Sequence, residues 1–255
     1  MNLNVFGVAL GTLVASYITS IIFSLFTYSF IVKKFQIIPT FNKIIVSSKI
    51  LKLFKINFDI FLRTLLLTFA FLWTSYLGSK LGEDFLAINI ILMQFLILAA
   101  FFLDAYAFST EGIIGFAIGR KNKKSFLMVV KNSIQLSFFT AIIISLLYLL
   151  FFKHIINVIT DIEVLRFLSY KHAFWIIIIP PIASFCYQLD GIFIGASQTR
   201  DMRNAMLLSV TTFIVISIYL TKYFGNHGLW LSLLLFMMFR SLTLKVFFNK
   251  IFKKF

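Results

Sequence analysis

Residues 85–110 read FLAINIILMQFLILAAFFLDAYAFST, and Asp104 is the sole charged residue among them. An α-helix rises about 1.5 Å per residue, so a run of this length reaches across a hydrocarbon core of about 30 Å. A strand or helix in a soluble core needs neither that length nor that freedom from charge. Working outward, six more runs of the same kind occur at about 5–32, 56–78, 132–152, 170–197, 205–221 and 228–248. None alternates polar and apolar residues, as tilted barrel strands would over about ten positions. The chain therefore reads as an all-α membrane protein with about seven transmembrane helices. Composition agrees: of 255 residues, 60% are hydrophobic and 13% charged, against roughly 45–50% and 25% in soluble domains. Such a chain cannot cover itself with polar surface, so the lipid bilayer is its first partner.

The net charge of +15 invites a nucleic-acid reading, but its distribution gives another. Lys33, Lys34, Lys43, Lys49, Lys52 and Lys55 fall in the segment 33–55. Arg120, Lys121, Lys123, Lys124 and Lys131, then Arg200 and Arg203, then Lys245, Lys250, Lys253 and Lys254 follow in alternate connections. The intervening loops carry Lys80, Lys153, Arg166, Lys171 and Lys222, diluted by Glu83, Asp84, Asp161 and Glu163. The bias puts 33–55 and the C-terminus in the cytoplasm of a multi-pass protein, and no nucleic-acid partner is needed to explain the charge. The first helix then runs from outside to inside without a basic anchor or a cleavage site. It reads as a helix that follows another helix, not as a signal peptide. Apolar residues among the lysines of 36–55 suit either an interfacial helix or a basic linker.

Three small-xxx-small pairs, Gly7/Gly11, Gly115/Gly119 and Gly191/Gly195, point to close helix packing. An internal echo links GVALGT at 7–12 with GLWLSL at 228–233. Both open a helix that ends on the basic side, as a repeat would.

Charges inside apolar runs each need a reason, since each costs about 2.5–3.5 kcal/mol on insertion scales. Asp59 and Arg63 stand four apart in the favourable order, which suits a self-neutralising pair, a gate or a relay. Asp104 and Glu111 lie seven apart on one face of a helix. Asp104 either lines a polar cavity or bonds a neighbouring helix, whereas Glu111 approaches the interface. Asp190 follows Pro180-Pro181 in the same run, where the missing amide donors kink the helix. It suits a cation or proton site, or else a buried pair with Arg240, which is likewise stranded in the last run. Asn89, Gln94, Tyr187 and Gln188 are uncharged candidates for the same cavity.

Signals for catalysis are lacking. His154, His172 and His227 read as solvated residues of the outer loops. HExxH, P-loop and GxSxG motifs are absent, and the single cysteine, Cys186, leaves no multi-cysteine metal site. The chain does not read as an enzyme, and no metal or organic cofactor is expected.

Four segments carry a family resemblance: NFDIFLRTLLL (57–67), ILMQFLILAAFFLDAYAFSTEGIIGFAIG (91–119), LDGIFIGASQTRDMRNAML (189–207) and GNHGLWLSLLLFMMFRSLTL (225–244). In this order they resemble the second half of MATE multidrug and toxin extruders, DinF-like branch, and GVALGTLVASY (7–17) resembles the sixth helix of the same proteins. The resemblance implies two six-helix lobes around a central cavity, and antiport of protons or sodium ions against organic cations and other small amphiphiles by alternating access. Residues 1–32 would then be the last helix of an N-terminal lobe, 33–55 the linker and 56–255 a complete C-terminal lobe. Asp190 falls where sodium-coupled relatives carry a cation-binding acid on the tenth helix, and Asp104 and Glu111 fall at characteristically acidic positions of the DinF-like branch. The first-helix carboxylate assigned to proton coupling, and the seventh-helix glutamate of sodium-coupled relatives, have no match here.

The leading expectation is thus a cation-coupled antiporter in the cell (inner) membrane. It would act with an N-lobe encoded separately, or through another copy of itself. A non-transporting gene remnant or assembly partner is the alternative, and the upstream reading frame would separate the two. A seven-helix retinal protein would need a lysine in mid-helix of the last run, where 233–236 read LLLF.

Overall fold

The computed structural model describes residues 4–35 and 47–252. The described elements are helices: α1 Asn4–Phe35, α2 Ser47–Lys80, α3 Glu83–Gly119, α4 Lys123–Ile159, α5 Glu163–Gly195 and α6 Thr199–Phe252. All six are long and apolar enough to cross a membrane. They fall into two compact units, Met1–Leu53 and Phe54–Phe255. In the first unit α1 exposes apolar side chains such as Tyr17, Phe23 and Phe26, as a helix surrounded by lipid or by other helices does. Of the segment expected to be an interfacial helix or linker, 36–46 lies outside the described residues and 47–55 opens α2.

The seven apolar runs lie in six helices because the last two share α6. Gly225 breaks that helix with φ 55° and ψ −136°, a left-handed backbone that glycine adopts without steric cost. The arms on either side turn back on one another: Ser209 meets Thr243 at 3.4 Å, and the rings of Phe213 and Phe236 stand 5.1 Å apart. Residue pairs centred on Gly225 are the register of an antiparallel hairpin. A Cβ on Gly228 would collide with the carbonyl of Leu220, which keeps the turn tight.

Two other turns are built alike. After α3, Lys121 takes φ 52° while the amide of Asn122 bonds the carbonyl of Ala117 at 2.9 Å. After α5, Ser197 takes φ 52° while the amide of Gln198 bonds Phe193 at 2.9 Å. Both close their helices with the six-to-one bond of a Schellman cap, here without the usual glycine. Asn122 then caps α4, its side chain accepting from the amide of Ser125 at 2.9 Å, which satisfies one of that helix's orphan donors.

Small residues bring α3 and α5 together. A Cβ on Gly191 would run into the backbone of Ala107, and one on Gly195 into that of Glu111. With little hydrophobic drive between helices in lipid, close backbone approach of this kind supplies the packing. Two apolar clusters fill the second unit. One holds Phe95, Tyr148, Ile176, Trp230 and Phe236; the other holds Phe126, Phe193, Met202 and Leu244. Along α5 the first cluster ends at Cys186 and the second begins at Leu189. Along α6, Met237 and Leu244 flank Arg240 in the same way. The buried charges sit at the seam between the two cores.

Candidate functional site

Asp190 on α5 stands at that seam and is 4% exposed. Arg240, from the C-terminal arm of α6, donates through Nη2 to Asp190 Oδ2 at 2.7 Å. Arg63, from α2, donates through its own Nη2 to the same oxygen. The pairing with Arg240 is the one open alternative for Asp190 that the geometry realises, and Arg63 joins it. Arg240 is 1% exposed. Its Nη1 rests 3.4 Å from the sulfur of Met237, and its guanidinium lies 5.6 Å from the ring centroid of Phe236. Met237 also receives the Cys186 thiol at 3.9 Å. These are polarizable neighbours for a buried cation. The Nε atoms of both arginines are buried without a partner, so one carboxylate carries most of the compensation for two guanidinium groups.

Next to this triad lies a cavity of about 250 Å³ between α2, α3, α5 and α6. Its wall is largely apolar, with Leu67, Phe71, Met93, Ala183 and Met237. Arg63, Asp104 and Tyr187 provide the polar part. Asp104 is half-buried and makes no hydrogen bond or ion pair among the described residues; it feels the charges of Arg63, Asp190 and Arg240. Arg63 therefore connects the sealed triad to the open space. α5 runs unbroken through Pro180 and Pro181, and Pro180 forms part of the cavity wall.

Several sequence expectations are redrawn. Asp59 does not pair with Arg63. It accepts from Arg203 Nη1 at 2.6 Å and from Thr199 at 3.2 Å, both on α6. Interhelical partners thus replace the neighbour one turn away, and Arg203 is more than a topology charge. Asp201 is held in turn by Lys250 at 2.6 Å. Of the four uncharged cavity candidates, Tyr187 lines the cavity. Asn89 does not: its side chain accepts from Trp230 Nε1 at 2.8 Å and donates to Asn226 at 2.7 Å. Gln188 is buried against α3, accepting from Thr110 at 3.1 Å, and Gln94 faces outward. Glu111 is half-exposed and stands outside the cavity.

The histidines also depart from the loop reading. His172 is 2% exposed and stacks on His227 with ring centroids 4.2 Å apart. Trp175 Nε1 donates to His227 Nδ1 at 3.1 Å. Aromatic residues close in sequence were the available signal, Tyr170, Phe174 and Trp175 around His172 and Phe224 and Trp230 around His227: they offer imidazoles a stacking surface that water does not. His154 is exposed, on α4. Among the described residues no group of three His, Cys, Asp or Glu is placed to hold a metal ion.

The comparisons with known proteins match this architecture. The family model MatE covers residues 60–221, more than half of the chain. DNA damage-inducible protein F of Escherichia coli is 34% identical over 98% of the chain and 54% of its own length. Protein DETOXIFICATION 43 of Arabidopsis thaliana is 23% identical over 95% of the chain and 45% of its own length. The chain thus spans about half the length of these curated relatives. Among solved structures, a Vibrio cholerae MATE transporter in its bent form matches with a TM-score of 0.76 and 16% identity, over 87% of the chain and 51% of that protein. An outward-facing multidrug resistance MATE family transporter matches with a TM-score of 0.70 and 19% identity, over 76% and 43%. These transporter folds, together with the spanning helices, make the chain an integral multi-pass membrane protein, and by its family model it belongs to the MatE family.

Proposed function

We propose that the chain forms one lobe of a secondary active transporter that exchanges protons for small organic amphiphiles by alternating access. The observation that carries the reading is Asp104, a carboxylate without a hydrogen-bond or ion-pair partner among the described residues, in the wall of an apolar cavity beside Arg63. A half-buried carboxylate at membrane depth that has no bonded partner is costly unless it takes up a proton or a ligand. Asp190 suits the coupling role less well. A sodium ion there would have to displace a guanidinium group from an oxygen that already accepts from two, and those cations repel it. We therefore favour protons over sodium, with Asp104 exchanging the proton, Asp190 anchoring Arg63 and Glu111 outside the chemistry. Transport is assigned to an assembly of two lobes, this one with a second set of helices on the same or another polypeptide. We place the assembly in the cell (inner) membrane with the C-terminus in the cytoplasm.

The test uses proteoliposomes of the two-lobe transporter with pyranine trapped inside, to which a panel of small lipophilic cations and zwitterions is added. Substrate-dependent change of lumenal pH, lost in Asp104→Asn and indifferent to sodium, is expected. A response that follows sodium in place of protons, or that survives Asp104→Asn, refutes the assignment.

A further inference from the structure

The polar wall of the cavity carries one group of each sign. Arg63 uses Nη2 on Asp190; Nη1 makes no hydrogen bond within the described residues, and 15% of the side chain stays accessible. Asp104, from the facing helix α3, is likewise without a bonded partner and opens onto the same space. The two do not bond each other, so each has capacity for a separate group. Charge counting sharpens the point. Arg63 and Arg240 oppose Asp190 and Asp104, so the four charges sum to zero. A cationic ligand would meet Asp104 but also Arg63; an anionic ligand would meet Arg63 but also Asp104. In an apolar, low-dielectric wall either mismatch is felt strongly. A ligand with both signs on one head meets neither.

We propose that this cavity binds a zwitterionic amphiphile, its carboxylate or phosphate on Arg63, its ammonium on Asp104 and its apolar body against Phe71, Met93 and Met237. The inference rests on the transport reading of the cavity and narrows its substrate class. A volume of about 250 Å³ is many times the roughly 30 Å³ share of one water, and with few polar partners in the wall the space suits an apolar body better than a water cluster. A bicyclic aromatic ring on a short polar chain is of suitable size.

Three probes with one naphthyl body separate the charge classes: naphthylalanine as zwitterion, naphthylacetate as anion and naphthylmethylamine as cation. Equilibrium dialysis against the full chain in lipid nanodiscs, with empty nanodiscs subtracted, gives their affinities. A charged hydrogen bond is worth about 1.5–3 kcal/mol, so naphthylalanine should bind roughly ten-fold or more tighter than either relative. Asp104→Asn should abolish its advantage over naphthylacetate, and Arg63→Gln its advantage over naphthylmethylamine. Arg63→Lys keeps a cation beside Asp190 in case the glutamine variant fails to fold, and should retain the order of the three probes. Failure of naphthylalanine to bind overturns the proposal, as do equal affinities of the three probes, tightest binding by naphthylmethylamine, or an Asp104→Asn shift common to all three. Binding needs no ion gradient, so failure of coupled transport in proteoliposomes leaves this result standing, and the reverse holds as well.

Discussion

Replacing Asp190 by Asn tests the triad most directly. The carboxylate is 4% exposed and Arg240 1% exposed, so water cannot replace what the substitution removes. Two guanidinium groups would then share one neutral amide oxygen at the seam of the two cores. Breaking a buried ion pair by deleting one partner costs about 3–5 kcal/mol, because an uncompensated charge stays behind. Deleting Arg63 instead leaves Asp190 with Arg240, and the cost falls toward the roughly 1.5–3 kcal/mol of one charged hydrogen bond. Asp190→Asn should therefore be more destabilising than Arg63→Met by about 2 kcal/mol, the difference of those two ranges. Equilibrium unfolding in mixed micelles can follow it through Trp73, Trp175 and Trp230, all in the second unit. Replacing all three charges together, Arg63→Met with Asp190→Leu and Arg240→Met, should recover much of the loss, since well-packed apolar groups substitute for buried ion networks at little net cost. If Asp190→Asn costs no more than Arg63→Met, or if the triple replacement is the least stable of the set, the two arginines do not depend on this carboxylate.

Three further outcomes follow from packing and hydrogen bonding. Gly195→Ala drives a methyl into the backbone of Glu111 and should cost about 1–3 kcal/mol through displacement of α3 from α5, read as a lower unfolding midpoint. Asn89→Leu strands the indole donor of Trp230 and one oxygen of Asn226; a loss of about 1–3 kcal/mol is expected, with a changed tryptophan emission. Ser197→Gly relieves a left-handed backbone at φ 52° and should gain about 1 kcal/mol, the lower end of that conformation's cost for other residues.

Crossing segments were legible because hydrocarbon thickness sets their length. The run 85–110 lies within α3, and the runs at 205–221 and 228–248 lie within the two arms of α6. Their joining into one element was less legible, since Gly225 signals a turn without saying whether backbone hydrogen bonding continues past it. The glycine spacing at 191 and 195 did announce a close helix approach, because small residues on one face let backbones meet in lipid, but it did not name α3 as the partner. Side-chain wiring was largely hidden. Helical periodicity fixes which residues share a face but leaves open how neighbouring helices are rotated and which partners meet. A pairing rule for exposed helices therefore joined Asp59 to Arg63, whereas tertiary packing gives Asp59 to Arg203 and Arg63 to Asp190.

Counting charge at membrane depth would have come closer than sequence spacing. Arg63, Arg240, Asp104 and Asp190 cancel, and a bilayer demands such cancellation because no bulk water screens a residual charge. Neutrality alone allows two separate pairs. The structure instead places both arginines on Asp190 and leaves Asp104 facing the cavity. That division makes one carboxylate structural and the other available. A symmetric arrangement of two closed pairs would have left the cavity wall without a group able to exchange a proton or recognise a head group. The asymmetry also gives Arg63 two duties: it neutralises the buried anion through Nη2 and presents positive charge to the cavity with the rest of its guanidinium. On the proposed reading, protonating Asp104 would leave that positive charge in excess, so ligand preference and proton occupancy would be coupled through Arg63 without any movement of Asp190.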